Sequence, residues 1–408
     1  MKILRSLVFV MLLPSLLLPA GRYVSPINIP SVEVLNVDVE QCSRACLKKL
    51  LKEGKVFSFV AKLNAENANE ELYVSLNEIM RSLQIQQAPL ELQNAKKSAF
   101  NIALVFPRKT IGRYSSNTTN MVLSYLLNQN ATFNFEVFDS NTESIDDIQR
   151  VIGKIHQGGY KHAIAIFTHV GANNLNKLNI NIPVYIPSVH ISQIQGEVSK
   201  NLIFGGIDYE AQIRALSSLN NNIKTTSFYD SSFIGSALHG YVAKYNQNIS
   251  YEKVFNQKDS ANFPKEMKNL KGAISNSKVF LNTPITSSAI ILSQITYNDI
   301  KPSGIYSTQI NYNPSLLSIT QEKDRRNMYI ANSISELDIK LIEQSKLIKA
   351  DLEYDWINYA TAFGVEYFYT SKIPSAKRYF KEKIVNNQVQ YEVEILTPTS
   401  SRFESYYE

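Results

Sequence analysis

Short apolar runs alternate with amphipathic segments from about residue 99 to the end of the chain. The run Phe100–Phe106 is apolar apart from Asn101 and ends at Pro107, as a buried strand does. The segments Ile145–His156 and Ser232–Tyr245 instead repeat apolar residues every three to four positions, which is typical of a helix packed on one face. Strands and helices that alternate with short connections predict a parallel sheet covered by helices on both faces.

The alternation occurs in two series, which predict two α/β halves of similar architecture. The first series predicts strands at Phe100–Phe106, Phe133–Phe138, His162–Phe167 and Ile182–Ile186. The second predicts strands at Lys224–Tyr229, Tyr251–Phe255, Ser277–Leu281, Gly304–Gln309 and Met328–Ala331. A late helical stretch and a β-rich tail follow. We therefore predict a first lobe at 98–206 plus about 336–370, and a second lobe at 207–335 plus the C-terminal tail.

A different pattern precedes the two lobes. Residues 22–97 begin with an extended lead-in that contains Pro26 and Pro30. Three helical patterns follow, at Cys42–Glu53, Phe57–Leu63 and about 70–84. We interpret this segment as a small helical pre-domain, too short to be robust by itself.

The first 21 residues have the pattern of a secretory signal peptide. Lys2 and Arg5 precede an apolar run from Leu7 to Leu18, and Pro-Ala-Gly follows. The run is shorter than the roughly 20 residues that a membrane-spanning helix needs. An uncleaved anchor is the alternative interpretation. We expect an exported, periplasmic protein.

Export places the two cysteines of the chain, Cys42 and Cys46, in an oxidising compartment. Their four-residue spacing brings them within reach of each other on a helix. A structural disulfide is the leading interpretation. Reduced buried thiols and a redox-active pair are the alternatives, although the chain has no C-x-x-C motif.

Composition limits the function classes further. The net charge of +6 over 408 residues, with no block of basic residues, gives no argument for nucleic acid. Five histidines and two cysteines are few for a metal site, so we expect no metal and no cofactor. The sequence contains no G-x-S-x-G, H-E-x-x-H, P-loop or G-x-G-x-x-G motif, and we predict a protein that is not an enzyme.

Several segments resemble the type I periplasmic-binding-protein superfamily in their order and spacing. Phe100–Pro107 resembles its first strand, and Ile207–Gln212 resembles the crossing from the first lobe to the second. Ser227–Gly235 resembles the first strand and helix of the second lobe, and Asp351–Phe368 resembles the late helix that returns to the first lobe. The resemblance implies two Rossmann-like lobes with a ligand cleft between them.

The length that precedes residue 99 departs from ordinary solute receptors of that superfamily. It is more similar to outer-membrane activators of peptidoglycan synthases and, loosely, to exported flagellar-disk accessory proteins. The first hypothesis is therefore a non-catalytic scaffold of the cell envelope with peptidoglycan-synthesis or flagellar-motor partners, associated with the outer membrane. The alternative is a solute-binding receptor of an ABC transporter or sensor, which closes on a small molecule at hinges near Gly205-Gly206 and Ser333-Ile334.

Ligands of open α/β sheets bind at the carboxyl ends of the strands. Arginine or lysine there would pair with a carboxylate, aspartate with an ammonium group, and a hydroxyl would fix orientation. The competing interpretation is that such residues are ordinary polar groups at loop edges. The sole tryptophan, Trp356, is interpreted as packing, with an aromatic cage for a cation as the alternative. The candidate ligand-binding residues are Arg108, Lys109, Thr168, His169, Tyr229, Asp230, Asn282 and Thr283.

Overall fold

A computed structural model describes the chain at residues 42–64, 67–82, 100–112, 114–129, 132–220, 223–256 and 262–407. The predicted signal peptide (1–21), the extended lead-in and the junction before residue 98 lie outside the described residues. Residues 42–82 belong to one compact unit, and the residues from 100 onward belong to another. No helix in the described ranges is long and apolar enough to cross a membrane.

The first unit contains three helices, α1 (Arg44–Lys52), α2 (Val56–Lys62) and α3 (Glu70–Ser82). Ser43 caps α1 by accepting a hydrogen bond from the Cys46 amide, so Cys42 precedes the helix rather than starting it. A disulfide joins Cys42 to Cys46, which confirms the leading interpretation. The apolar faces of the helices bury Leu47, Phe59, Leu72 and Leu76.

The second unit begins with a series of strands and helices that builds the first lobe. A helix with an apolar stripe follows most of the strands and covers the sheet, as in α6, where Ile148, Val151 and Ile155 are buried. In chain order the elements are β1 (Phe100–Phe106), α4 (Arg108–Ile111), α5 (Tyr114–Leu127), β2 (Phe133–Asp139), α6 (Ile145–Gln157), β3 (Ala163–Ala165), α7 (His169–Asn176), β4 (Val184–Ile186) and β5 (Leu202–Phe204).

The second lobe repeats this order after the chain crosses over at 205–208. Its elements are α8 (Tyr209–Ser218), β6 (Thr225–Tyr229), α9 (Phe233–Tyr245), β7 (Ile249–Val254), α10 (Phe263–Ile274), β8 (Lys278–Asn282), α11 (Ile285–Tyr297), β9 (Gly304–Ser307), α12 (Pro314–Ile319) and β10 (Met328–Asn332).

The chain then returns to the first lobe and leaves it again. The returning elements are α13 (Ile339–Leu347), α14 (Trp356–Lys372), β11 (Lys383–Val385) and β12 (Gln388–Gln390). The chain ends in the second lobe with β13 (Glu394–Pro398) and β14 (Phe403–Ser405). The lobes are therefore joined by three crossings, near 205–208, 333–338 and 391–393.

Each lobe has a seven-stranded sheet. The orders are β11-β12-β5-β4-β3-β1-β2 and β14-β13-β10-β9-β8-β6-β7. The five strands of each series, β1–β5 and β6–β10, pair in parallel, and antiparallel pairing among the described residues occurs only in the additions from the C-terminal tail. The chain thus has two Rossmann-like lobes, as predicted from the sequence.

Several features differ from the sequence-based expectations. The strand β5 was not predicted, because three apolar residues before Gly205 give too short a pattern. The helix α13 was not predicted either. The tail, assigned as a whole to the second lobe, divides: β12 pairs with β5 in the first sheet, whereas β13 pairs with β10 in the second.

Candidate ligand cavity between the lobes

A cavity of about 130 Å³ lies between the lobes beside the first crossing. The first lobe contributes His190, which follows β4, and Trp356, the first residue of α14. The second lobe contributes Asp208 and Glu210 at the start of α8 and Tyr241 on α9. Both lobes therefore form its wall, at the carboxyl side of the sheets, where open α/β folds bind ligands.

The first crossing is shaped by two glycines that allow close backbone approach. A Cβ atom on Gly205 would overlap the Tyr185 hydroxyl, and one on Gly206 would overlap the Val189 backbone. Strand β12 and the third crossing bind to the first crossing. The Tyr391 hydroxyl donates to the Gly205 carbonyl at 2.8 Å, and the Gln388 side-chain amide donates to the Gly206 carbonyl at 3.1 Å. Asp208 and α8 follow directly, so this packing sets their position at the cavity.

The two carboxylates of the cavity have different partners. Glu210 accepts hydrogen bonds at 2.6 Å from both the Lys244 ammonium and the Tyr245 hydroxyl. These contacts lower the pKa of Glu210, and it stays ionised at neutral pH. Asp208 caps α8 by accepting from the Ala211 amide at 2.8 Å.

Groups on both lobes respond to this negative charge. Burial lowers the pKa of His190, and the charges of Asp208 and Glu210 oppose that shift. Burial also raises the pKa of Tyr241, and the same two carboxylates raise it further. His190 is consequently neutral at pH 7 and Tyr241 is protonated, so the carboxylates dominate the electrostatic potential of the cavity.

The predicted site residues of the first lobe have different surroundings. Arg108 and Lys109 are the exposed first residues of α4. Thr168 caps α7, and its amide and hydroxyl each donate to the Glu143 carboxylate at 2.6 Å. An internal carboxylate therefore lies at the N-terminus of α7, where the backbone and the helix dipole favour negative charge.

His169 contacts the second lobe. Its ring stacks on Phe233 at a centroid distance of 4.1 Å and an interplanar angle of 11°. His169 begins α7 and Phe233 begins α9, so the stack joins the helices that face each other across the cleft.

In the second lobe, the predicted residues at the end of β6 also have internal partners. Tyr229 stacks on His239 at 4.1 Å, within the same lobe. Asp230 accepts a hydrogen bond from the Ser232 hydroxyl at 2.6 Å and lies against Gly235 in the first turn of α9. Asp230 therefore lies beside the N-terminus of α9, bonded to the capping residue Ser232.

Asn282 and Thr283 are fully buried at the end of β8. The Thr283 hydroxyl bonds to the Ser288 hydroxyl at 2.8 Å. Neither side-chain polar atom of Asn282 has a hydrogen-bond partner among the described residues. The Asn311 amide donates to the Thr283 carbonyl at 3.2 Å, so Thr283 belongs to a buried cluster of polar side chains.

None of the eight predicted residues is among those that line the cavity. Their ligand-binding role stays a prediction. The lining residues Asp208, Glu210 and Tyr241 were missed as site residues, although Ile207–Gln212 was recognised as the crossing. Among the described residues, no group of three His, Cys, Asp or Glu side chains is placed to hold a metal ion.

The chain matches no protein-family model, and no curated protein matches it. Solved structures, in contrast, match over most of the two-lobed unit. The branched-chain amino acid transporter substrate-binding protein of Streptococcus pneumoniae, in complex with isoleucine, shares 12% identity with a TM-score of 0.55. The alignment covers 75% of this chain and 97% of that one.

Two further structures show the same likeness. A branched-chain amino acid ABC transporter protein of Thermus thermophilus with bound valine is 13% identical, covers 76% and 95% of the two chains, and has a TM-score of 0.55. A solute-binding protein of an ABC transporter from Rhodopseudomonas palustris, in complex with p-hydroxybenzoic acid, is 11% identical over 76% and 96%, with a TM-score of 0.55. The chain therefore has the type I periplasmic-binding-protein fold.

Proposed function

We propose that this protein is a non-catalytic, periplasmic solute-binding receptor that holds a small molecule between its lobes. The observation that carries the proposal is the cavity of about 130 Å³ whose wall combines His190 and Trp356 of one lobe with Asp208 and Tyr241 of the other. A ligand that contacts both walls would stabilise the closed arrangement of the lobes.

The structural neighbours support this interpretation over the scaffold hypothesis. They are described as substrate-binding or solute-binding proteins of transporters, and their bound ligands are isoleucine, valine and p-hydroxybenzoic acid. Proteins of this class bind their solute without transforming it. The neighbours give no support for outer-membrane, peptidoglycan-synthesis or flagellar partners.

Thermal unfolding against a solute panel tests the proposal. The panel contains amino acids, organic acids, amines and sugars. Because a ligand that binds only the native state stabilises it by RT ln(1 + [L]/Kd), a solute at 100 times its Kd adds about 2.7 kcal/mol to the free energy of unfolding. We expect at least one class of solute to raise the melting temperature.

Two variants of one helix connect the shift to the cavity. Ala237 lines the cavity, whereas Ala243 is exposed on the same helix, α9. Ala237→Phe fills the space, and we expect it to abolish the ligand-induced shift. Ala243→Phe adds the same side chain outside and keeps the shift. A panel without any shift, or equal shifts in the wild-type protein and in A237F, contradicts the proposal.

The second candidate function is a protein-interaction module, and an exposed apolar surface favours it. Val170 of the first lobe and Phe233 and Ile234 of the second are large apolar residues that are about half exposed (49%, 52% and 45%). Exposed apolar groups that come together at a cleft are typical of protein interfaces.

Crosslinking in cells tests this candidate. We expect it to capture a stoichiometric envelope partner with the wild-type protein and to lose that partner with the variant V170S/I234S. Capture of no partner by the wild-type protein removes this candidate.

A further inference from the structure

We infer that the solute of this cavity is a small organic cation without a carboxylate group. The inference rests on the proposed receptor function and names the chemical class of its ligand. Three observations carry it: the charge of the wall, the occupation of the neighbouring helix N-termini, and the volume.

The charge of the wall is negative. Asp208 and Glu210 line the cavity together with His190, which burial keeps neutral at pH 7. In the described part of the chain, no lysine or arginine lines it. Lys244 does not line the cavity; it forms an ion pair with Glu210 at 2.6 Å. A cation is therefore favoured in the cavity and an anion is disfavoured.

Asp208 is the residue that would pair with the cation. In the described part of the chain its carboxylate makes one hydrogen bond, which one of its oxygens accepts from the Ala211 amide. Tyr241, Trp356 and Phe233 also line the cavity, and aromatic side chains attract cations through their ring faces. An acidic and aromatic wall is suited to an ammonium group.

A carboxylate would not find the donors that usually hold it. Helix N-termini bind carboxylates through free backbone amides and the helix dipole. Here Glu143 accepts from the Thr168 amide and hydroxyl in front of α7. Asp230 lies against the first turn of α9, where it accepts from the Ser232 hydroxyl. A carboxylate of the chain thus lies beside each of these two helix N-termini, where its charge repels a ligand carboxylate.

The volume of the cavity suits a ligand of a few atoms. A buried cavity of about 150 Å³ accommodates benzene, so about 130 Å³ corresponds to roughly six non-hydrogen atoms. Choline and 1,4-diaminobutane are cations near this size. The neutral isostere of choline, 3,3-dimethylbutan-1-ol, has the same shape without the charge, and butyrate supplies the opposite charge.

Calorimetric titration of the full chain with these four probes tests the inference. We expect choline or 1,4-diaminobutane to bind at least tenfold more tightly than the neutral isostere, and butyrate not to bind. Asp208→Asn keeps an effective helix cap but removes the charge. Because the Asp208 carboxylate attracts a cation electrostatically and an amide does not, we expect it to weaken cation binding by roughly tenfold to a hundredfold.

A matched control separates charge at the cavity from charge in general. Asp338 caps α13, as Asp208 caps α8, and lies outside the cavity lining. We expect Asp338→Asn to leave cation binding unchanged. If D208N is not folded by circular dichroism, the comparison of choline with its isostere on the wild-type protein decides the question, and Glu210→Gln replaces D208N.

The possible results separate the two proposals. Binding of an acid or a neutral solute in the Ala237-lined cavity, with cations excluded, overturns this inference and leaves the receptor function standing. Equal affinity of cations for wild type and a folded D208N also overturns the inference. Absence of a shift for every solute, charged or neutral, overturns the receptor function itself.

Discussion

The two lobes share one strand order but are stabilised by different interactions. The buried strands of the first lobe are apolar, as in β1 and β4, and their core continues into the largely buried helix α14. The strands of the second lobe carry buried polar side chains, as in β6, where Thr225, Thr226 and Ser227 are fully buried. The same topology therefore accommodates one lobe whose buried strands are largely apolar and another whose strands also bury polar side chains.

Hydrogen bonds organise the carboxyl edge of the second lobe. The Asn311 amide donates to the Ser307 hydroxyl at 2.8 Å, to the Ser288 hydroxyl at 3.0 Å, and to the Leu281 and Thr283 carbonyls at 3.3 and 3.2 Å. Such contacts specify direction, because each donor must meet its acceptor. They hold the ends of β8 and β9 in one arrangement.

Close packing organises the first lobe at the corresponding place. Tyr185 is fully buried on β4, and Gly364 of α14 lies against its ring. The Phe363 ring is 6.1 Å from that of Tyr185. At this place the first lobe is therefore sensitive mainly to changes of side-chain volume, whereas the carboxyl edge of the second lobe is also sensitive to the loss of hydrogen-bond partners.

The largest expected effect is on the hydrogen-bonded edge of the second lobe. Asn311→Leu keeps a similar volume but removes the buried amide donor whose hydrogen bonds the Ser288 and Ser307 hydroxyls accept. We expect a loss of about 3 kcal/mol in the free energy of unfolding, measured by urea denaturation. Asn248→Leu is the control, because Asn248 is exposed. A loss in N311L no greater than that in N248L would contradict the contrast between the lobes.

A smaller effect is expected from volume in the first lobe. Gly364→Ala places a methyl group in the Tyr185 ring, and we expect a loss of about 2 kcal/mol. Gly240→Ala, in the second lobe, has open space around it and should stabilise α9 by about 0.5 kcal/mol. In the double variant Y185L/G364A, we expect the loss in the free energy of unfolding to be smaller than the sum of the losses in the two single variants. Additive losses in the double variant would show that the ring is not the obstacle.

The smallest effect concerns the contact between the lobes. A double-mutant cycle of His169→Ala and Phe233→Ala should give a coupling energy of about 0.5–1 kcal/mol in thermal unfolding. The Tyr229–His239 stack, with the same centroid distance of 4.1 Å, serves as the intralobe reference. A coupling of zero across the cleft, beside a measurable one within the lobe, would mean that the lobes do not stay closed in solution.

The two-lobed fold could be predicted because most of its strands and helices have a clear local pattern of apolar and polar residues. Phe100–Phe106 and Ser232–Tyr245 have clear periodicities, and the structure places β1 and α9 there. In contrast, β5 has three residues and acquires its identity only from pairing with β4 and β12. The division of the tail between two sheets likewise depends on long-range pairing, which has no local signal.

The site was less predictable for the same reason. The rule for carboxyl ends of strands correctly located the edge of each sheet, but not the partners of its side chains. Thr168 is held by Glu143, which lies in a loop 25 residues earlier. The cavity is formed where α14 returns beside the first crossing, so Trp356 meets Asp208 only through the tertiary fold.

The three crossings also affect when the protein can fold. Strands β5 and β10 remain sheet edges until residues 383–405 have been synthesised, because β12 and β13 cover them. Pairing of such sequence-distant strands is slow, and uncovered edges are prone to aggregate. Because β12 and β13 follow residue 387, neither sheet can be completed before the polypeptide has been made beyond that point.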